Sequence, residues 1–435
     1  MEHTLPQTRV LLKNIGTPDS ETLDGYLKNG GYQALKKAVS DLTPEEIVDS
    51  VKRSGLRGRG GAGFPAGMKW QFCASDQACP KYVICNADEG EPGTFKDRIL
   101  LEEDPHAVLE GMALAGYAIG ANQGYVYIRG EYYKGALSLE KAVTEANQHH
   151  YLGQKIYGTD FDFNIQVFRG AGAYICGEET ALLDSLEGKA GRSRIKPPYP
   201  VNQGLWGKPT CVNNVETLTN IPWVVNKGVD WYRKFGTEES PGTKIYSLSG
   251  HVNHPGNYEL PMGATLRELI YEYGGGIRQG RRLKAVMPGG ASSACLTEKS
   301  LDVKMDFHSL AAAGSMLGSG AVIVMDENTC MVGAAHNVAA FFEHESCGRC
   351  TPCREGTHWI KRILERVKNF EAKSVAEIDL IADLGQNMRL GAFCPLGMGA
   401  PSAALSIIQH FRDEFETHVK EKRCPVNIPA VVPGL

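Results

Sequence analysis

No run of apolar residues in this 435-residue chain is long enough to span a bilayer. Nor is there a basic field: 46 Lys and Arg stand against 50 Asp and Glu, for a formal net charge of -4. Direct membrane insertion is therefore not expected, and nucleic acid and anionic lipid are poor default partners. The opening Met1-Glu2-His3-Thr4 lacks the basic-then-apolar order of a signal peptide, so the expected place is the cytoplasm, or an organelle after processing. A nucleophile–base constellation is missing as well. The histidines, His149-His150 included, fall at no metal-binding spacing and read as surface or packed residues. A second Cys-x-x-Cys knuckle is also lacking, which counts against the paired knuckles of a structural zinc site.

What is present is a denser cysteine run, Cys347-Gly-Arg-Cys350-Thr-Pro-Cys353, with a remote Cys394-Pro395 downstream. Three thiols at two-residue spacing give one side of a cubane iron–sulfur cluster its ligands, and a distant Cys-Pro closes the other side. Tetrahedral zinc is the competing reading. Cys73, Cys79, Cys85, Cys211, Cys295, Cys330 and Cys424 read as buried free thiols of a reducing compartment rather than disulfides. Fifty glycines exceed the usual share of about 7%, and many crowd into loops.

Along the chain, Thr43-Pro44-Glu45-Glu46 places a cap, an N1 proline and a capping-box acid ahead of a helix that ends at Ser54-Gly55. Short apolar strands at 82–85, 125–128 and 163–168 then alternate with helical segments at 106–120 and 133–146. That order predicts a parallel sheet with right-handed crossovers. Beyond residue 240, strands surround one helix in the manner of a small β-grasp domain. Four helical segments from about Thr329 onward suggest an antiparallel bundle, with the cluster cysteines in its first and third connections and so at one end. The expected division is a helical lead-in over 1–65, a Rossmann-like α/β domain over 66–239, a ubiquitin-like β-grasp domain over 240–328 and a four-helix bundle over 329–435.

Three glycine-bearing loops and two further segments carry the candidate chemistry. Gly58-Arg59-Gly60-Gly61-Ala62-Gly63 matches G-x-G-x-x-G, but a helix precedes it and Phe64-Pro65 follows, so it is not a standard dinucleotide fingerprint. Either it is a flexible connector, or its glycines let backbone N–H groups approach an anion or a flat ring, with Arg57, Arg59 and Lys69 adding positive charge. Asp88, Glu89 and Glu91 follow the first strand; they suit a magnesium ion, a polyhydroxy chain or ribose, or a solvated turn. Gly177-Glu178-Glu179 repeats an acidic pair after the second glycine loop, and acids near a ribose favour NAD over NADP. Lys196 to Tyr199 reads as a polar linker or as a phosphate partner with a stacking ring. Asn213, Asn214 and Thr217 stand at a helix start suited to phosphate or a ring edge.

Taken together, these motifs resemble the NADH-binding flavoprotein subunit of respiratory complex I, NADH:quinone oxidoreductase, over nearly the whole length. The resemblance rests on Arg57 to Pro65, Asn86 to Gly93, Gly170 to Thr180 and Glu345 to Cys353. It implies FMN held by Gly58, Gly60, Lys69, Asn86, Asp88, Glu89, Tyr174, Gly177, Glu178, Asn213, Asn214 and Thr217. It implies NADH stacked on Phe64 and Phe72 beneath Tyr199, with Glu91, Glu179 and Lys196 as further nucleotide contacts, and a [4Fe–4S] cluster on Cys347, Cys350, Cys353 and Cys394. Hydride would pass from NADH to FMN and electrons would leave singly through the cluster, with Glu91 tuning the hydride step or product release. The implied partners are a [2Fe–2S] thioredoxin-like subunit and a large multi-cluster iron–sulfur subunit, within a peripheral arm on the cytoplasmic side of the inner membrane. The diaphorase subunit of NAD-linked hydrogenases or formate dehydrogenases is the alternative, and a zinc-stabilised scaffold the non-enzymatic one.

Overall fold

The computed structural model describes residues 8–426. The helix Pro44–Ser54 starts as its sequence dictates: Thr43 accepts from the Glu46 N–H, Glu46 reaches back to the Thr43 N–H, and Gly55 closes the far end at φ 71°. Its apolar stripe of Ile47, Val48 and Val51 is buried, and it joins Trp70, Leu109, Met112 and Leu218 in one continuous core. The lead-in thus packs on the same core as the sheet that follows.

That sheet has four parallel strands: β1 (Tyr82–Ala87), β2 (Gln123–Ile128), β3 (Asn164–Arg169) and β4 (Thr210–Asn214), in the order β3-β2-β1-β4. The chain steps outward from β1 to β3 and then returns to the other side of β1. The reversal makes a switch point between β1 and β4, where ligands of open sheets bind at the carboxyl ends. One face is covered by the helices Pro105–Ile119 and Val215–Lys227. They approach so closely that a Cβ on Gly111 would lie 2.2 Å from the Leu218 carbonyl oxygen, so only glycine fits there. Ile84, Tyr127 and Val212 on the opposite face belong to a second core, shared with the C-terminal helices.

The second sheet holds β5 (Thr243–Gly250), β6 (Gly256–Pro261), β7 (Leu283–Met287) and β8 (Ala321–Asp326) in the order β6-β5-β8-β7. Its central pair is parallel and its outer pairs are antiparallel, a β-grasp arrangement around the short helix Glu268–Tyr273. Glu259 of β6 reaches back along the chain. Its carboxylate accepts the N–H groups of Val10, Leu11 and Leu12 at 2.9, 3.0 and 2.9 Å. The remainder is helical: Met331–Glu345, Thr351–Lys368, Ala376–Gly391 and Pro401–Lys420, with the turn Pro395–Gly399 ahead of the last. The first of these packs on both the second and the fourth, as up-down connectivity requires. Among the described residues no helix is long and apolar enough to cross a membrane.

The structure differs from the sequence expectation at two points. The strand β4 has no counterpart among the expected strands: its five residues of mixed polarity give no periodic signal, and Asn213-Asn214 reads only as a helix start. Asn214 does cap the helix Val215–Lys227, its side chain accepting from the Glu216 N–H. All twelve cysteines are unpaired, but Cys79 is exposed and Cys330 and Cys424 are half-buried, so the reading of all seven as buried thiols fails for these three.

Candidate functional site

Four segments meet at the carboxyl edge of β1 and β4. The glycine loop packs on the end of β4, where a Cβ on Gly60 would stand 3.0 Å from that of Asn214, and the Arg59 N–H donates to Thr217 Oγ1 at 2.9 Å. The run after β1 meets the second glycine loop: Asn86 donates to the Gly177 carbonyl at 2.8 Å, and Gly90 lies against Tyr174. Lys69 spans the gap, donating to the Val212 carbonyl at 3.0 Å and pairing with Glu179 at 3.2 Å. Lys196 closes the same corner, 2.9 Å from Glu178 and 2.8 Å from Glu179. Phe64, Phe72 and Tyr199 are each about half exposed, with flat rings free to stack. The helix Ala66–Ser75, which carries Lys69 and Phe72, packs on the turn Pro200–Gln203 that follows Tyr199.

The three acids after β1 do not converge, which removes the magnesium reading, and their burial removes the solvated turn. Glu89 accepts from the N–H groups of Asp97 and Arg98 and from Tyr132 Oη, anchoring the start of the helix Lys96–Glu103. Glu91 accepts from Tyr174 Oη at 2.5 Å and from both the N–H and the hydroxyl of Ser292 at 2.8 Å. Burial raises its carboxyl against those three donors. Asp88 is different: its Oδ2 is buried without a partner, and burial pushes its carboxyl up to about 7 against the pull of Arg129. An orphaned acceptor beside a glycine-lined edge fits a ligand that brings hydroxyl groups.

Several other expected contacts are spent within the protein. Glu178 caps the helix Glu179–Leu186 through the N–H groups of Thr180 and Ala181. Asn213 accepts from Trp70 Nε1 at 2.9 Å, and Asn214 donates to Asp97 at 2.6 Å. Arg59 departs furthest from expectation. Its guanidinium adds no charge to the loop but is fully buried, bonded to Tyr232 Oη and to the carbonyls of Pro241 and Thr243. Gly58 and Gly61 do keep the loop open: Gly58 bonds the Phe64 carbonyl, and nothing stands within 4 Å of a Cβ on Gly61. Glu179 is the strongest anion of the group. Burial would raise it, but Lys69 and Lys196 outweigh burial and hold it down to about 2.

The second half of the site lies at one end of the helical bundle. Cys347 and Cys350 sit in the loop after Met331–Glu345, Cys353 in the first turn of Thr351–Lys368, and Cys394 just before Pro395–Gly399. Burial, with smaller contributions from the nearby Cys350, Cys394 and Cys347, pushes the Cys353 thiol up to about 11 against a hydrogen bond with Ser346. The remote segment truly arrives: a Cβ on Gly397 would be 3.0 Å from that of Cys353. Four unpaired thiols, three of them buried, fit a tetrathiolate centre. Tyr174 joins the halves, since its hydroxyl holds Glu91, its N–H donates to Glu345 at 2.9 Å, and its ring packs on Phe341. A cleft of about 400 Å³ runs beside it, with Ala171, Ala173, Arg192, Glu345 and Cys347 in its walls. Ser292 and Glu345 escape a sequence reading because nothing local marks a contact made 201 or 171 residues away.

The geometry has counterparts among known proteins. Residues 51–223 match the family described as Nuo51 FMN-binding domain, 245–294 the SLBB domain, and 333–418 the NADH-ubiquinone oxidoreductase-F iron-sulfur binding region. The chain is 53% identical over 416 residues to the second NADH-quinone oxidoreductase-F protein of Rhizobium meliloti, covering 96% of this chain and 99% of that one. It is 46% identical over 401 residues to the NADH-quinone oxidoreductase-F protein of Escherichia coli, covering 92% and 90%. With the HndC subunit of the NADP-reducing hydrogenase of Solidesulfovibrio fructosivorans it shares 47% identity over 422 residues, covering 97% and 86%. A solved NAD+-reducing [NiFe]-hydrogenase superposes with a TM-score of 0.84 at 37% identity, covering 96% of this chain and 67% of the other. These relatives are components of larger assemblies, and by the extent and identity of the matches the chain belongs to the NADH-quinone oxidoreductase-F family.

Proposed function

We propose that this chain oxidises NADH and passes the electrons, through partner subunits, towards quinone. One observation carries the reading: Tyr174 ties the carboxyl edge of β1, through Glu91, to the segment that leads into the cluster cysteines, through Glu345. Bound FMN would supply a two-electron hydride acceptor able to give up electrons singly, and a [4Fe–4S] cluster on the four cysteines would supply the one-electron acceptor. The protein supplies binding and alignment. The unpartnered Asp88 oxygen would accept from a flavin hydroxyl, the glycines at 58, 60 and 177 would admit the ligand close to the backbone, and Lys69 would bring positive charge. Phe64 and Phe72 offer faces for the adenine, and Glu91, fixed by Tyr174 and Ser292, orients the nicotinamide end. Anaerobic titration of the purified chain with NADH, followed by absorbance and EPR, tests this. Bleaching of flavin absorbance with a new cluster signal is expected; absence of flavin and iron removes the proposal.

Two substitutions test the nucleotide contacts. Glu91→Gln is expected to change NADH turnover or the relative affinities for NADH and NAD, and unchanged values would dismiss its role. Glu179→Gln frees Lys69 from its carboxylate and leaves Lys196 with Glu178 alone, and the positive charge gained beside a ribose welcomes a 2′-phosphate. The ratio of kcat/KM for NADPH over NADH should rise about tenfold, the scale of one charged hydrogen bond. A constant ratio would place the ribose elsewhere.

The partners we assign are a [2Fe–2S] thioredoxin-like subunit and a large multi-cluster iron–sulfur subunit, in a peripheral arm on the cytoplasmic side of the inner membrane. Leu390, Phe393 and Met398 supply a docking face, since all three are exposed around Cys394. The diaphorase role in a hydrogenase would use the same residues. The hydrogenase relatives favour it as the second reading, and the partner co-purified with the chain separates the two.

A further inference from the structure

A second ligand cluster lies at the opposite end of the bundle. Cys330, the N-cap of Met331–Glu345, stands beside His418 near the end of Pro401–Lys420 and Cys424 in the tail beyond it. One donor atom from each falls within 4.8 Å of the others. Cys330 Sγ is 3.6 Å from His418 Nε2. Sulfur at about 2.3 Å and nitrogen at about 2.0–2.1 Å from a tetrahedral zinc are separated by roughly 3.5 Å, so that spacing suits two ligands of one ion. The imidazole is also set for the task. Nδ1 lies 2.8 Å from the Glu414 carbonyl and is placed to donate to it, the ring stacks on Phe370, and Nε2 is left to face the thiols. The Gly333 N–H donates to Cys330 Sγ at 3.4 Å and holds the sulfur at the helix start.

We propose that Cys330, His418 and Cys424 bind a zinc ion that clasps the C-terminal tail and the last helix to the start of the first bundle helix. Two sulfurs and one nitrogen form a set that zinc prefers, with solvent at the fourth position on the half-exposed side. Glu414 does not take that place, because its carboxylate is engaged by Lys284 at 2.5 Å and by the Met331 N–H. The site is separate from the iron–sulfur end: the 15 residues of Met331–Glu345 put about 22 Å between Cys330 and the loop of Cys347. The clasp therefore fixes the seam where the β-grasp sheet hands over to the bundle. It goes beyond the proposed electron path and does not depend on it.

The test is metal content of the full chain, purified with its iron and flavin and without chelator. One zinc per chain is expected in the wild type and in Cys353→Ser, and none in Cys424→Ser, whose iron and FMN stay at wild-type levels. Cys424 lies in the tail, so its replacement leaves the helices intact even if Cys330→Ser fails to fold. Absorption at the zinc edge should show two sulfurs at about 2.3 Å. The idea is overturned by a wild-type chain without zinc, by zinc that disappears with Cys353 instead of Cys424, or by a Cys330–Cys424 disulfide found by mass spectrometry.

Discussion

A Cys394→Ser chain is expected to lose its iron, falling from about four atoms per chain to fewer than one, while FMN stays bound. Cys394 is the one thiolate contributed by the second segment; the other three come from a single stretch of seven residues. A serine oxygen is a poor match for iron held by sulfur. The remaining ligands can grip only one side of a cubane, and the segment 392–399 loses its attachment to the start of Thr351–Lys368. Iron and flavin assays on one sample separate this outcome from general misfolding. Iron retained at the wild-type level would mean that Cys394 is not a ligand.

Glu216→Gln is expected to destabilise the chain by about 3–5 kcal/mol, the usual cost of breaking a buried ion pair from one side. Glu216 is fully buried, 2.9 Å from Lys96 and 3.0 Å from Lys244, and it also accepts from the Ile245 N–H at 2.9 Å. Burial would raise its carboxyl, but Lys244 and Lys96 hold it down to about 2. The two lysines are not equal. Lys96 has Asp97 as well and keeps its proton, whereas burial together with Lys96 and Arg59 outweighs Glu216 and presses Lys244 down to about 7. Below about pH 7 both lysines are charged, and glutamine leaves Lys244 without its carboxylate and Lys96 with Asp97. The pH dependence has a definite sign. A carboxyl lowered from 4.5 to about 2 on folding contributes its stability in full above pH 4.5 and loses it as the pH falls towards 2. Thermal melts from pH 7 to 3 should show the wild type losing part of its advantage over Glu216→Gln at the acid end. Parallel curves would show that the carboxylate is not the charged partner.

Local chemistry makes much of this molecule readable. Thr43, Pro44 and Glu46 specify a helix start because every interaction they make lies within one turn. The strands β1 and β2 show as apolar runs because the covered centre of a parallel sheet needs them, whereas the edge strand β3 alternates, with Asn164, Gln166 and Arg169 exposed. The cysteine run is legible because cluster ligation imposes its own spacing. Failures occur where partners are far apart in sequence. Arg59 reads as a loop charge, yet its hydrogen-bond acceptors lie at Tyr232, Pro241 and Thr243. Asp88, Glu89 and Glu91 look like one acidic patch, but each turns to a different environment once the sheet, the helix Lys96–Glu103 and Ser292 are in place. Cys330, His418 and Cys424 carry no knuckle spacing because only the folding of the bundle brings them together.

The carboxylate of Glu259 has a bearing on biosynthesis. The N–H groups it satisfies, those of Val10 to Leu12, are translated long before it, since Glu259 lies 249 residues behind Val10. At about 5–20 residues per second the wait is about 12–50 s. During that interval the N–H groups of Val10, Leu11 and Leu12 lack the carboxylate that satisfies them, although their side chains belong to the core of the first sheet. The backbone of Val10 to Leu12 therefore reaches its final hydrogen bonding only after β6 has been translated, and that segment is what a chaperone has to protect.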